Sequence, residues 1–185
     1  MKKNRLNFQI FKFPNQQINT ILAKQFYTMI SEAQFQHELE LIIKNGIRED
    51  IGPGDFSSLA CIPADAKGKA KLLVKDEGII AGVAFAKMIF AEVDANLIVE
   101  TFINDGEKVK YGDVVFHVSG SSQSILRAER LVLNSMQRMS AIATKTNHFA
   151  QLLQGTKTKI LDTRKTTPGF RACEKWAVKI DGGKN

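Results

Sequence analysis

The sequence predicts an α+β fold: a small sheet packed with helices, followed by a strand–helix unit. Three stretches predict it. Residues 67–75 alternate as a strand does, with Ala70, Leu72 and Val74 on one side and Lys71, Leu73 and Lys75 on the other. Residues 121–153 carry Ile125, Ala128, Val132, Met136, Met139 and Ala143 at steps of three and four, the spacing of a buried helical stripe. Residues 159–180 pass from a short apolar run through a polar loop into a second helical pattern. Of the 185 residues, 44% are apolar, which suits a packed core and argues against disorder.

Taken in order, residues 1–28 read as a disordered appendage to a chain whose functional part starts at Met29. They hold Lys2, Lys3, Arg5, Lys12 and Lys24 and no acid, so five of the seven net positive charges lie there. A single arginine and no serine speak against a transit peptide, and the apolar centre is too short for a secretory signal. The rest of the chain is only weakly basic and has no helix of cations interleaved with aromatics, so no nucleic-acid partner is expected. No apolar run reaches the ~18 residues of a membrane span. Cys61 and Cys173 lack metal-ligand spacing and suit a reducing, cytoplasmic setting.

Residues 32–47 are expected to be helical, with Phe35, Leu39, Ile42, Ile43 and Ile47 on one face and Ser31 as the cap. Glu49-Asp-Ile-Gly-Pro-Gly-Asp55 is a turn, its acids serving turn chemistry and Asp55 capping or bracing, rather than a metal site. After the strand at 67–75, Asp76-Glu-Gly78 turns the chain and residues 79–81 run extended. Residues 83–93 form a helix on Val83, Phe85, Ile89 and Phe90, and residues 97–102 a strand. Gly106 and Gly112 flank Val109 ahead of a strand at 114–118. That turn pattern resembles lipoyl and biotinyl carrier domains, but the modified lysine is missing, so a hairpin and no carrier role is expected. His37, His117 and His148 are read as ordinary surface or half-buried side chains, since a catalytic base needs an orienting group in reach.

The long helical pattern has a polar line, Arg127, Arg130, Asn134 and Arg138, on one face. Its small-residue run, residues 140–144, allows close packing and marks a possible break between two helices. Gly155 ends the pattern.

Leu161-Asp-Thr-Arg-Lys-Thr-Thr-Pro-Gly169 then leaves the expected strand at 159–162 and enters the helix at 170–180, with Phe170, Cys173, Trp176, Ala177 and Ile180 facing inward. Thr167 is placed as the N-cap and Pro168 at the first helical position. Arg164 offers paired donors, Lys165 a point charge, and Thr163 with the helix-start amides further donors. Together they suit an anion.

That string, followed by Arg171, Glu174-Lys-Trp-Ala-Val178 and Gly182-Gly183, closely resembles the quinolinate phosphoribosyltransferase (nicotinate-nucleotide pyrophosphorylase, carboxylating) family. Ala128-Glu-Arg130, Leu133-Asn134 and Gln137-Arg138 match the family's helix, and the acidic glycine-rich turn matches too. The resemblance runs from about residue 35 to the last residue. It implies an N-terminal α+β domain at 29–120, a long helical segment at 121–155, and at 156–185 the first strand–helix unit of an incomplete α/β barrel. A full barrel typically needs about 200 residues or more, and catalytic groups gather at the ends of its strands.

The resemblance further implies transfer of phosphoribosyl from phosphoribosyl pyrophosphate to quinolinate, with decarboxylation to nicotinate mononucleotide, in NAD biosynthesis. Thr163, Arg164, Lys165 and Arg130 would bind substrate, Arg130 by reaching into a neighbouring subunit of a homodimer or higher oligomer. Lys165 would also act in catalysis. Magnesium would bridge the pyrophosphate through ligands outside this chain. Two departures stand out: Asp181 replaces an expected glycine, and the family's later His-Arg pair, second lysine and two acids have no counterpart. The chain is therefore expected to be C-terminally truncated and inactive alone. The alternatives are a non-catalytic fragment that pairs with other chains, a paralogue acting on another anionic acceptor, and a basic nucleic-acid-binding module.

Overall fold

The computed structural model describes residues 31–184; the expected appendage at 1–28 lies outside them. Helix α1 (Glu32–Ile51) starts on a capping box: the Ser31 hydroxyl accepts from the Gln34 N–H while the Gln34 side chain accepts from the Ser31 N–H. It runs four residues beyond the expected end, to the turn at Gly52. Asp55 then caps the short α2 (Phe56–Cys61) through the Ser58 N–H at 3.1 Å. Strand β1 (Lys67–Leu73) stops two residues early, at an irregularity between Leu72 and Leu73. Val74 still exchanges backbone bonds of 2.9 Å with Asp113 and Gly112.

Next come β2 (Gly78–Ile79), α3 (Val83–Val93), β3 (Ile98–Thr101), β4 (Lys108–Val109) and β5 (Val114–Ser121). Two antiparallel sheets form, β1-β5-β3 and β2-β4. The first is ruled by β5, whose Val115, Phe116 and Val118 are buried. His117 points the other way and meets Glu100 across the strand at 3.6 Å.

Helix α4 (Ser122–Leu152) is the spine. All six residues of its apolar stripe are buried, and the helix packs on α1, α3, β2 and β5. It is one uninterrupted helix, so the expected break at 140–144 does not occur. The small residues serve close approach instead. The Ser140 hydroxyl accepts from Ala81 N–H at 2.9 Å and donates to Ala81 C=O at 3.1 Å; Thr144 pairs with both backbone groups of Ile79 in the same way, at 2.9 and 3.4 Å. One turn apart on the helix, two hydroxyls thus satisfy alternate residues of an extended segment that α4 would otherwise bury unpaired. Gly78 is part of this fit: a Cβ there would lie 2.5 Å from the Thr144 hydroxyl oxygen.

Helix α5 (Arg171–Ile180) closes the core. Cys173 and Ala177 are fully buried, Phe170 meets Phe85 edge-on at 6.4 Å, and Trp176 meets Phe35 at 5.6 Å. The expected inward face is thus found. The expected strand at 159–162 is not. Residues 160–162 make one parallel bridge, with Asp162 N–H donating to Lys184 C=O at 2.9 Å and Lys184 N–H to Ile160 C=O at 3.0 Å. A strand is defined by its neighbours, and among the described residues Lys184 alone pairs with this segment. The bridge, with α5 between its arms, has the connectivity of a β-α-β unit.

Candidate functional site

The loop between Asp162 and Phe170 is held by two consecutive residues of α5. Lys175 reaches back to the loop's start, its ammonium donating to Asp162 Oδ2 at 2.8 Å and to the Thr163 carbonyl at 3.2 Å. Glu174 holds the far end. Its Oε1 accepts from the Thr167 hydroxyl at 2.6 Å and its Oε2 from the Thr167 N–H at 3.2 Å. The same Oε1 receives Arg138 of α4, at 2.9 Å from Nε and 2.8 Å from Nη2. Glu174 is only 5% exposed. A carboxylate so placed is costly unless fully hydrogen-bonded, and here it is. Burial pushes its pKa up, but donation from Thr167 and Arg138 outweighs that and holds it below the ordinary carboxylate value.

Between these anchors the loop is ordered by short-range bonds: Thr163 N–H to Asp162 Oδ1 at 2.6 Å, and Lys165 N–H to Thr163 Oγ1 at 3.1 Å. Arg171 donates to Thr166 Oγ1 at 3.0 Å. Thr163, Arg164 and Lys165 are exposed and adjacent, as expected from the sequence. Neither the Arg164 guanidinium nor the Lys165 ammonium has an acidic partner among the described residues. Two unpaired cations on a braced loop form an electropositive surface suited to a polyanion.

Two expectations about this loop are corrected. Thr167 is not the N-cap of α5: the helix starts at Arg171 after Phe170, and Pro168-Gly169 form a turn in which Gly169 takes φ +76°. Nor does the Thr167 N–H face the cations, because the Glu174 carboxylate takes it. A buried acid in the first helical turn takes that donor. Glu174, Lys175 and Arg138 enter the sequence reading only within the stretches that carry the family resemblance, Arg138 also in the polar line, and none is given a role at this loop there. A signal existed. Glu174 lies between Cys173 and Ala177 on the inward stripe, where a carboxylate requires a cationic partner.

Arg130 is elsewhere. It lies eight residues before Arg138 on α4, about 12 Å along the axis. Its exposed guanidinium pairs with Asp50 at the end of α1. No hydrogen bond or ion pair among the described residues joins it to the loop. It shares a helix face with the exposed Leu126 and Leu133. Asp50 and Asp55, two of the acids in the glycine-rich turn, are thus engaged by an arginine and a helix end, as turn chemistry anticipates. A cleft of about 200 Å³ beside that turn is lined by Asp55, Ser58, Gln123 and Arg127, and no loop residue borders it.

A protein-held magnesium does not fit what is present. Among the described residues no three His, Cys, Asp or Glu side chains converge, and both Asp162 oxygens are engaged by Lys175 and the Thr163 N–H. Both cysteines are free, Cys61 exposed and Cys173 buried. No helix among the described residues is long and apolar enough to cross a membrane.

Two family models match in sequence: the quinolinate phosphoribosyl transferase N-terminal domain over residues 55–140 and its C-terminal domain over residues 142–185. A Nicotiana tabacum protein, quinolinate phosphoribosyltransferase (decarboxylating) 2b, mitochondrial, is 49% identical over 150 residues, covering 80% of this chain and 42% of that protein. The probable nicotinate-nucleotide pyrophosphorylase (carboxylating) of Bacillus subtilis is 39% identical over 148 residues, 80% of this chain and 51% of that one. Among solved structures, NadC from Streptococcus pyogenes superimposes with a TM-score of 0.76 at 34% identity, covering 85% of this chain and 55% of that chain. The chain thus spans about half the length of the relatives it matches.

Proposed function

The chain belongs to the quinolinate phosphoribosyltransferase family, and on that basis we propose that it serves the transfer of phosphoribosyl from phosphoribosyl pyrophosphate to quinolinate in NAD biosynthesis. The observation that carries this reading is the braced loop with Arg164 and Lys165 free of acidic partners among the described residues, since both substrates are polyanions. The quinolinate ring nitrogen forms a bond to the anomeric carbon as pyrophosphate departs with the electrons of the broken C–O bond. The 2-carboxylate then leaves as carbon dioxide. Its bonding pair stays on the ring carbon, which takes a proton.

Arg164 suits a substrate carboxylate, held by two parallel hydrogen bonds that a lysine cannot copy. Lys165 suits phosphate or pyrophosphate, and its charge also stabilises the electron pair left by decarboxylation. Thr163 adds a hydroxyl at the same edge. Arg130 would bind the second carboxylate only across an interface between two copies, which the exposed Leu126 and Leu133 beside it favour. A homodimer with shared sites, in the cytoplasm, completes the proposal; free Cys61 and Cys173 support a reducing compartment.

The test is release of labelled carbon dioxide from carboxyl-labelled quinolinate in the presence of phosphoribosyl pyrophosphate. Release that Arg164→Lys abolishes supports the reading; equal release from both proteins contradicts it. The same exposed face of α4 favours a second reading, a non-catalytic chain that associates with other copies. A stable dimer without any release would support that one.

A further inference from the structure

The loop's cations are presented by a clamp, and the clamp is built from two adjacent residues that do not face the anion surface themselves. Glu174 is buried, and its carboxylate is spent on Thr167 and Arg138. Lys175 is about three-quarters buried, and its ammonium is spent on Asp162 and the Thr163 carbonyl. Arg164, Lys165 and Thr166 are the residues between the two grips. Consecutive helical residues point about 100° apart, which lets one residue hold each end of a loop crossing the helix start. Arg138 ties the far grip to α4, the spine of the fold, so the loop is referenced to the core rather than to α5 alone.

We propose that Glu174 and Lys175 are positioning residues that fix where Arg164 and Lys165 stand, with Arg138 and Thr167 as the links through which Glu174 acts. The inference rests on the reading of this loop as the anion site. Charge and position act here in opposite directions, which makes the idea testable. Glu174 is an acid close to an anion surface. If it acted through charge, neutralising it would strengthen anion binding. If it acts through position, neutralising it weakens binding, because a glutamine amide cannot accept the Thr167 N–H and the arginine together.

The experiment titrates inorganic pyrophosphate into the 185-residue chain by calorimetry. Arg164→Gln and Lys165→Gln are expected to weaken binding most. Glu174→Gln is expected to weaken it about tenfold, within the ~10²-fold that a displacement of 1 Å can cost. Lys175→Met is expected to do likewise and Lys175→Arg to restore most of the affinity. Thr167→Val keeps every charge, removes the hydroxyl donor to Glu174, and is expected to weaken binding in a chain that is somewhat less stable but still folded at the temperature of the titration. It keeps the test decisive if Glu174→Gln does not fold. Unchanged or tighter binding by Glu174→Gln, or by Thr167→Val where Glu174→Gln is unfolded, would overturn the clamp while leaving the anion site standing. Wild-type affinity in Arg164→Gln and Lys165→Gln, or no binding by the wild type, would overturn the anion site and the clamp with it.

Discussion

Arg138 of α4 and Glu174 of α5 meet at a single carboxylate oxygen, with Nε at 2.9 Å and Nη2 at 2.8 Å from Oε1. Glu174 is buried and the Arg138 side chain is half exposed. Removing the arginine leaves the acid without its cation inside the protein. Truncating one partner of a fully buried pair costs about 3–5 kcal/mol. Water at the exposed half of this pair and two surviving bonds from Thr167 reduce that, so Arg138→Ala is expected to destabilise by about 2–3 kcal/mol. Urea denaturation measures it. Arg138→Lys should recover part of the loss, as one point charge replaces a two-nitrogen contact.

Acid should loosen the same joint. Glu174 titrates below its ordinary value of 4.5, and Asp55 and Asp94 below 3.8. Donation from the Ser58 side chain and then its backbone lowers Asp55; donation from the Asn96 backbone and then the Ser124 hydroxyl lowers Asp94. A carboxyl with a depressed folded-state pKa adds stability that is complete above its unfolded value. That stability is lost as pH falls through the folded value. Melting temperature is therefore expected to be insensitive to these three groups from pH 7 to about pH 5 and to drop below about pH 4. Glu174→Gln should have a shallower drop than the wild type.

The hydroxyl pairs between α4 and the extended segment make a different prediction. Thr144→Val keeps the volume but removes both contacts to Ile79, leaving a half-buried N–H and C=O unpaired. A cost of about 1–3 kcal/mol is expected. Gly78→Ala attacks the same place by crowding, since its Cβ would sit 2.5 Å from Thr144 Oγ1 and 3.2 Å from Thr144 Cγ2. Overpacking of this kind costs about 1–3 kcal/mol. Because both act on one contact, the double variant should lose less than the sum of the two, which a double-mutant cycle reads directly.

Asp181 offers the opposite sign. It caps the C-terminal end of α5, where the helix dipole disfavours negative charge. Its Oδ1 accepts from Asn147 at 3.0 Å, but its buried Oδ2 has no partner among the described residues. Asp181→Asn keeps the accepting oxygen and removes the charge. It is expected to stabilise by about 0.5–1 kcal/mol, or a rise of roughly 1–4 °C in melting temperature.

Much of the fold was legible because it rests on local periodicity. The stripe from Ile125 to Ala143 had to be buried once it was helical, and Ser31 announced a helix start by residue type, whereas the short helix that Asp55 caps was not expected. What escaped depends on contacts distant in sequence. Ser140 and Thr144 resembled a weak point in a helix until the backbone they satisfy, about sixty residues away, came into place. Residues 159–162 have strand composition, yet a strand needs partners, and composition says nothing of those. Arg164 and Lys165 stood out as cations in a polar run beside a helix start. Glu174 and Lys175 did not, because a charge pair adjacent in sequence looks solvated until its burial is known. Arg130 illustrates a further gap: its contact with Asp50 spans eighty residues and two elements.

Assignment of quinolinate to this loop requires Arg164 to bind a carboxylate in the two-bonded manner only a guanidinium allows. Calorimetric titration of quinolinate into the wild-type chain and into Arg164→Lys measures this most directly, because the substitution keeps the charge and changes only the donor geometry. Saturable binding by the wild type, weakened at least tenfold in Arg164→Lys at an unchanged melting temperature, is the expected result. Equal affinity in the two proteins would show that the loop offers charge without geometry, and would contradict the assignment of quinolinate to this site.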